Sequence, residues 1–226
     1  MSNTVTLAIL RTAAKQRADM ENNNFITDAE WLTYINASYG EFYDLLIQHF
    51  EGDYVYSTSA ISIVSGTATY ALPSDFYKVL GVEILDGSYY VPLKRYQLHH
   101  RDSRPGSSGI HLQYRLQGSN IAFIETPTTT ETGRLIYVPL YTDLASDGDT
   151  FEFHGPGWEE YVIIDAAIKA REKEESSTTS LERKKDRMYL RIEQAAMNRE
   201  AGEPEEAVDV ERNINGIYYD SDYTYI

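Results

Sequence analysis

Thr27-Asp28-Ala29-Glu30-Trp31-Leu32-Thr33-Tyr34-Ile35-Asn36-Ala37-Ser38-Tyr39-Gly40-Glu41-Phe42-Tyr43-Asp44-Leu45-Leu46-Ile47-Gln48-His49-Phe50 carries the clearest structural signal in the chain. Thr27 followed three residues later by Glu30 is a capping box, in which each side chain satisfies a backbone N–H at a helix start. Trp31, Ile35, Tyr39, Phe42, Leu46 and Phe50 then recur on one face for about five turns, which predicts a long amphipathic helix. Gly52 closes it. From Tyr54 the texture changes to short alternating runs rich in Val, Ile, Thr and Tyr, the mark of strands.

Upstream, Leu7, Leu10, Ala14 and Ala18 fall at helical spacing after Thr4, a reasonable N-cap, and Asn22-Asn23-Asn24 interrupts the pattern. That predicts a first helix paired with the long one. Downstream, strand signals recur to about Phe153. Ile61 and Ile63 flank Ser62, and Leu80, Val82 and Ile84 share one parity. They run into Asp86-Gly87, a hairpin turn, before Tyr89 to Leu93. Ile110, Leu112, Tyr114 and Leu116 alternate with polar residues, describing a strand with one wet face. Gly118-Ser119-Asn120 turns it back into Ile121 to Ile124, and Leu135 to Tyr141 is a further strand whose Pro139 belongs at an edge or end. Between Lys94 and Gly109 the pattern is lost. The strands predict an antiparallel sandwich or small barrel.

At Gly155-Pro156-Gly157 the period returns to helical. Trp158, Tyr161, Ile164 and Ile168 line a third helix, Ser176 to Ser180 is a link, and Leu181, Met188, Ile192 and Ala195 line a fourth. Neither helix pair is able to bury its apolar faces alone, so the expected fold is α+β. In it the N- and C-terminal pairs, residues 1–53 and 154–201, form one helical bundle, with an antiparallel β domain, residues 54–153, inserted between them. An extended tail, residues 202–226, completes the chain.

Composition narrows the function classes. The 226 residues are 42% hydrophobic and 24% charged, ordinary for a globular protein able to form a core. There is no cysteine, which excludes disulfides, thiolate metal sites and cysteine nucleophiles. Lys plus Arg number 20 against 35 Asp plus Glu, a net charge of -15, which argues against a surface built to grip nucleic acid phosphates. The short apolar run Leu7 to Leu10 is too brief for a signal-peptide core, and no stretch approaches the roughly 18 apolar residues of a membrane span. The expectation is no membrane and a product made in the cytoplasm. Tyrosine is abundant, 19 against 7 Phe and 2 Trp, and tyrosine suits surfaces that become interfaces.

Chemistry is sparse. His99-His100 lacks a third ligand at metal-site spacing, so no metal is expected there. Glu159-Glu160 resembles a carboxylate pair but stands where a helix dipole favours acids. No phosphate-loop Gly-Lys and no Gly-x-Ser-x-Gly elbow occurs. Arg183-Lys184-Lys185 with Arg187, punctuated by Glu182 and Asp186, reads as a solvated, ion-pair-laced helix face. No cofactor is expected, and no enzyme. A hydrolase or a carbohydrate-binding module using sheet-face tyrosines is the competing class, and it needs a constellation of acids, bases or ligands that the sequence does not offer.

The tail is the exception to the bland readings. Residues 202–226 carry one Arg against seven acids, yet end Ile217-Tyr218-Tyr219-Asp220-Ser221-Asp222-Tyr223-Thr224-Tyr225-Ile226. A merely solvating acidic tail has no use for these aromatics. Ile217, Tyr218, Tyr219, Tyr223, Tyr225 and Ile226 are therefore the candidate anchors of a segment that docks on a partner.

These segments in order bear a resemblance. Ala71-Leu72-Pro73-Ser74-Asp75-Phe76-Tyr77-Lys78-Val79-Leu80-Gly81-Val82 resembles the Leu-Pro-x-Asp-Phe turn and strand of head-to-tail adaptor (connector) proteins of tailed bacteriophages. Gly118 to Phe123 followed by Pro127 and Leu135-Ile136-Tyr137 resembles that family's turn-strand-Pro-strand unit, and Gly157-Trp158-Glu159-Glu160-Tyr161 its penultimate helix start. The resemblance implies a structural virion protein at the head-tail junction. It would form a ring, typically of twelve neighbouring copies, bound beneath the portal protein and above a tail or neck protein. Genomic DNA would pass through it without specific binding, and a C-terminal extension would reach the portal. Another neck or tail ring, a stopper or terminator, is the alternative within the class, and these are usually smaller.

Overall fold

The computed structural model of the chain describes residues 4–50, 54–97, 112–152 and 157–198. Among them are four helices, α1 (Leu7–Ala18), α2 (Asp28–His49), α3 (Glu159–Lys173) and α4 (Thr179–Met197). Eight strands lie between α2 and α3: β1 (Ser57–Ile63), β2 (Thr69–Ala71), β3 (Phe76–Asp86), β4 (Tyr89–Pro92), β5 (Lys94–Arg95), β6 (Gln113–Gln117), β7 (Asn120–Ile124) and β8 (Glu131–Pro139). The fold is α+β, as expected. None of the described helices is long and apolar enough to cross a membrane.

The capping box forms as read. Thr27 Oγ1 accepts from the Glu30 N–H at 3.3 Å, and Glu30 Oε2 accepts from the Thr27 N–H at 2.9 Å. The cap of α1 is Thr6 rather than Thr4, its hydroxyl accepting from the Ile9 N–H. The reason lies downstream: Val5 C=O accepts from Phe151 N–H at 2.8 Å and Thr6 bridges Thr150, so the chain is still extended and paired at Val5. Asp19 ends α1 in the left-handed region with φ 62°, its N–H bonded back to Gln16 and Lys15 carbonyls.

Buried residues from all four helices share one core. It runs from Leu7, Leu10 and Ala14 of α1 through Trp31, Ile35, Tyr39, Phe42 and Leu46 of α2 to Val162 and Ala166 of α3 and Ile192 of α4. Only Leu181 and Ile192 of α4 are fully buried, so this helix is held by few apolar contacts. Leu144 and Phe151, from the segment that follows β8, complete the same core. Asn36 fixes that segment with two bonds, its Nδ2 donating to Leu144 C=O at 2.9 Å and its Oδ1 accepting from Leu144 N–H at 3.0 Å.

The strands form two separate four-stranded sheets, ordered β1-β8-β3-β4 and β2-β7-β6-β5. The barrel alternative is corrected here: neither sheet closes on itself. Each described sheet keeps two edges, and a barrel requires that none remain. Pairings are antiparallel except β5 with β6, which is parallel over Lys94↔Gln113 and Arg95↔Tyr114. Ile61, Ile63, Val82, Ile84, Leu135 and Tyr137 of the first sheet meet Tyr114, Ile121 and Phe123 of the second in one apolar cluster. Pro139 stands at the last residue of β8, an end position that needs no further ladder bond.

Candidate interaction surface

Side-chain ion pairs in the described residues join helix to helix and strand to strand. No group of three or more His, Asp or Glu stands close enough there to hold a metal ion. Glu160 spends its carboxylate on Arg17 at 2.7 Å, joining α3 to α1. His99 and His100 lie outside the described residues, as do Arg104 to Gly109. The six candidate anchors Ile217, Tyr218, Tyr219, Tyr223, Tyr225 and Ile226 also lie outside them.

The basic run of α4 departs from its sequence reading at one residue. Arg183, Lys184 and Arg187 are exposed, but Lys185 turns inward to Asp165 of α3, with Nζ to Oδ1 at 2.6 Å. Asp165 is 3% exposed, and Lys169 pairs with its other oxygen from one turn along α3. Glu41 of α2 accepts from both lysines, Lys169 at 2.8 Å and Lys185 at 3.1 Å, and Ser38 stands 3.3 Å from Lys169 Nζ. Burial opposes ionisation of Asp165, but hydrogen bonds from Lys169, Lys185 and Ser38 outweigh it and hold the carboxyl below its ordinary range. Burial likewise opposes the Lys185 charge, and the bond to Asp165 outweighs it, raising the ammonium above its ordinary value. Three helices are pinned at one buried anion. Sequence spacing shows the charges but not that Asp165, the seventh residue of α3, is buried and needs two cations.

Tyrosine has two uses. At the junction of helices and sheet it fills the interior: the rings of Tyr39 and Tyr43 lie tilted against Tyr141 with centroids 4.9 and 5.4 Å away, and Tyr43 stands 6.0 Å from the part-exposed Tyr77. The Tyr43 hydroxyl donates to the Pro139 carbonyl, and Tyr77 donates to Asp44 at 2.7 Å. Burial pushes the Tyr43 phenol up to about 12. Tyr114, Tyr137 and Tyr161 are buried too, whereas at the margins of the first sheet Tyr56 is 65% and Tyr89 79% accessible.

The outer face of that sheet carries small side chains along β1 and at the start of β8. Thr58, Ala60, Ser62 and Thr132 are exposed and small. Arg134 at its centre bonds Glu83 at 2.5 Å and lies 3.8 Å over the Tyr90 ring. At the end of the sheets away from the helices, a cavity of about 400 Å³ opens between Ile84, Leu112 and Pro127, with Asp86, Glu125 and Glu131 at its lining. Among the described residues the first sheet thus presents small exposed side chains on its outer face and two strand edges, β1 and β4.

In comparison with known proteins, the family model for the SU10 adaptor protein matches residues 5–212, which takes in both helix pairs and all the strands and stops short of Ile217. No curated protein matches the chain.

Proposed function

We propose that this chain, which belongs to the SU10 adaptor protein family, forms a ring at the head-tail junction of a phage, bound to the portal above and to a tail or neck protein below. Family membership makes it a structural phage adaptor and a component of the virion neck. The finer reading is ours. A ring of about twelve copies continues the DNA channel, assembles in the host cytoplasm, and carries out no catalysis. Its helical bundle comprises residues 1–53 and 154–201, with a sandwich domain over 54–153 inserted in it, and residues 202–226 form a docking strap.

The observation that carries this reading is the family match across residues 5–212, joined to the order helix pair, strands, helix pair. A net charge of -15 supports passage of DNA without retention, because an acidic wall displaces no counterions from the phosphates. Ile217, Tyr218, Tyr219, Tyr223, Tyr225 and Ile226 are the proposed anchors on the portal: aromatic side chains supply contact area that offsets the cost of ordering an extended segment. Deleting residues 202–226 tests the strap. The truncated protein is expected to fold with the circular dichroism of the full chain and to fail to join portal-containing heads. Completion of virions by the truncated protein refutes the strap.

A further inference from the structure

The first sheet ends on two strands, β1 and β4, and among the described residues nothing pairs with the outer side of either. Open edges invite strand addition, and folded proteins blunt them with charge, proline or bulges. β1 reads Ser57-Thr58-Ser59-Ala60-Ile61-Ser62-Ile63, with no charge, no proline and unbroken one-to-one register on β8. β4 reads Tyr89-Tyr90-Val91-Pro92, uncharged and protected only by its terminal proline. Both edges lack the usual protection along most of their length.

We infer that these edges cover one another in the ring, β4 of one copy pairing antiparallel with β1 of the next. The inference rests on the ring reading above. Register across the sheet places Ala60 level with Arg134, Glu83 and Pro92, and Ile61 level with Gly133, Ile84 and Val91. Beyond that level β1 and β4 each run on by two residues, to Ile63 and Tyr89. Copies in a closed ring are related by rotation without rise, so with the strands running along the ring axis the residues that meet across the seam are those level across the sheet, Ala60 with Pro92 and Ile61 with Val91. The two edges lie on opposite sides of one sheet, which makes the contact heterologous and able to repeat around a ring. Strand direction alternates β1, β8, β3, β4, so the seam continues the antiparallel order. The register shifts in β3 at Phe76/Lys78 and Val79/Gly81 bend the sheet, which lets twisted edges of successive copies be brought into line. β4 spans only the last part of β3, leaving a notch at the level of Val79, where Tyr77 and Leu80 are exposed. The exposed Tyr56, immediately before β1, is placed to fill that notch from the next copy.

The chain has no native cysteine, so paired cysteines report the seam directly. Ala60 and Pro92 of one chain are three strand spacings apart, about 14 Å, too far for a disulfide within a copy. Full-length protein carrying Ala60→Cys and Pro92→Cys, assembled with portal and oxidised, is expected to give a ladder of covalent multimers on a non-reducing gel. Thr58→Cys with Pro92→Cys, two residues out of register, is expected to give little. Rings without a ladder, or a ladder equally strong from the Thr58 pair, overturn the edge pairing and leave the ring reading standing. Absence of rings from the unmodified protein overturns the ring reading and this inference with it. Should the cysteine pair fail to fold, Ser62→Lys, on an exposed edge position, is expected to lower ring yield at least about tenfold, while Thr132→Lys in the same row but on a central strand leaves it unchanged. Ser62→Lys rings at the unmodified yield overturn the inference.

Discussion

Asp165→Asn removes the one buried charge on which α2, α3 and α4 converge. In the native protein Asp165 holds Lys185 at 2.6 Å and also Lys169, and Glu41 accepts from both lysines. Breaking a buried ion pair costs about 3–5 kcal/mol when the surviving charge is left uncompensated. Here the lysine side chains are 23% and 25% exposed and keep Glu41, itself 47% exposed, so screening and the remaining partner reduce the loss to about 2–3 kcal/mol. For a chain of this size that is a drop in melting temperature of about 5–10 °C. The pH dependence has a definite sign. Because the folded pKa of Asp165 lies below its unfolded value, its contribution is full above the ordinary carboxylate pKa of about 3.9 and is lost as pH falls through the folded value. Thermal unfolding followed by circular dichroism should therefore show a constant gap between native and variant from pH 7 to about 5, narrowing below about 4. Equal melting temperatures at pH 7, or a gap that widens on acidification, refute the reasoning.

Three further substitutions probe the packing. Gly40→Ala, in the middle of α2, gains up to about 1 kcal/mol in an unobstructed helix, but the added Cβ meets the Tyr141 hydroxyl at 2.5 Å. The variant is expected to melt no higher than the native protein, with altered near-ultraviolet signal from displaced Tyr141. Tyr43→Phe leaves the Pro139 carbonyl without its donor and should cost about 1–2 kcal/mol in urea unfolding. It should also soften the loss of stability above about pH 10, where unfolded tyrosine ionises while buried Tyr43 stays protonated. Gly133→Val on the central strand β8 places carbon against Ile63 Cδ1, 3.1 Å from the Cβ position, and Glu83 C=O, at 3.2 Å. Overpacking there should lower stability by about 1–3 kcal/mol, read as a lower urea midpoint.

Local signals in the sequence located what is local in the structure. Thr27 with Glu30 announced α2, and Asp86-Gly87 and Gly118 to Asn120 announced turns that do join β3 to β4 and β6 to β7. Pairings between distant residues left no such mark. Nothing near Ser57 shows that β1 lies on β8, a connection that spans most of the sheet region, and that pairing sets which strands are edges and why no barrel closes. β2 and β5 leave no pattern in the sequence because three and two residues are too few for a period. Lys185 looked like its neighbours Lys184 and Arg187 because helical spacing does not tell which cation faces a buried acid across another helix. Abundant tyrosine suits interfaces, but the structure divides it: Tyr39 and Tyr43 are buried structural residues, while Tyr56 and Tyr89 are exposed at sheet margins.

Both the docking strap and the strand seam require copies of this chain to assemble as a ring on a portal. Electron microscopy of full-length protein mixed with portal tests this assembly most directly. Closed rings of a single size, seated on one face of the portal, are expected, with the native mass of the complex rising by a fixed whole number of chains. Intact portal that remains bare, with the chain dispersed beside it at concentrations where both are folded, contradicts it.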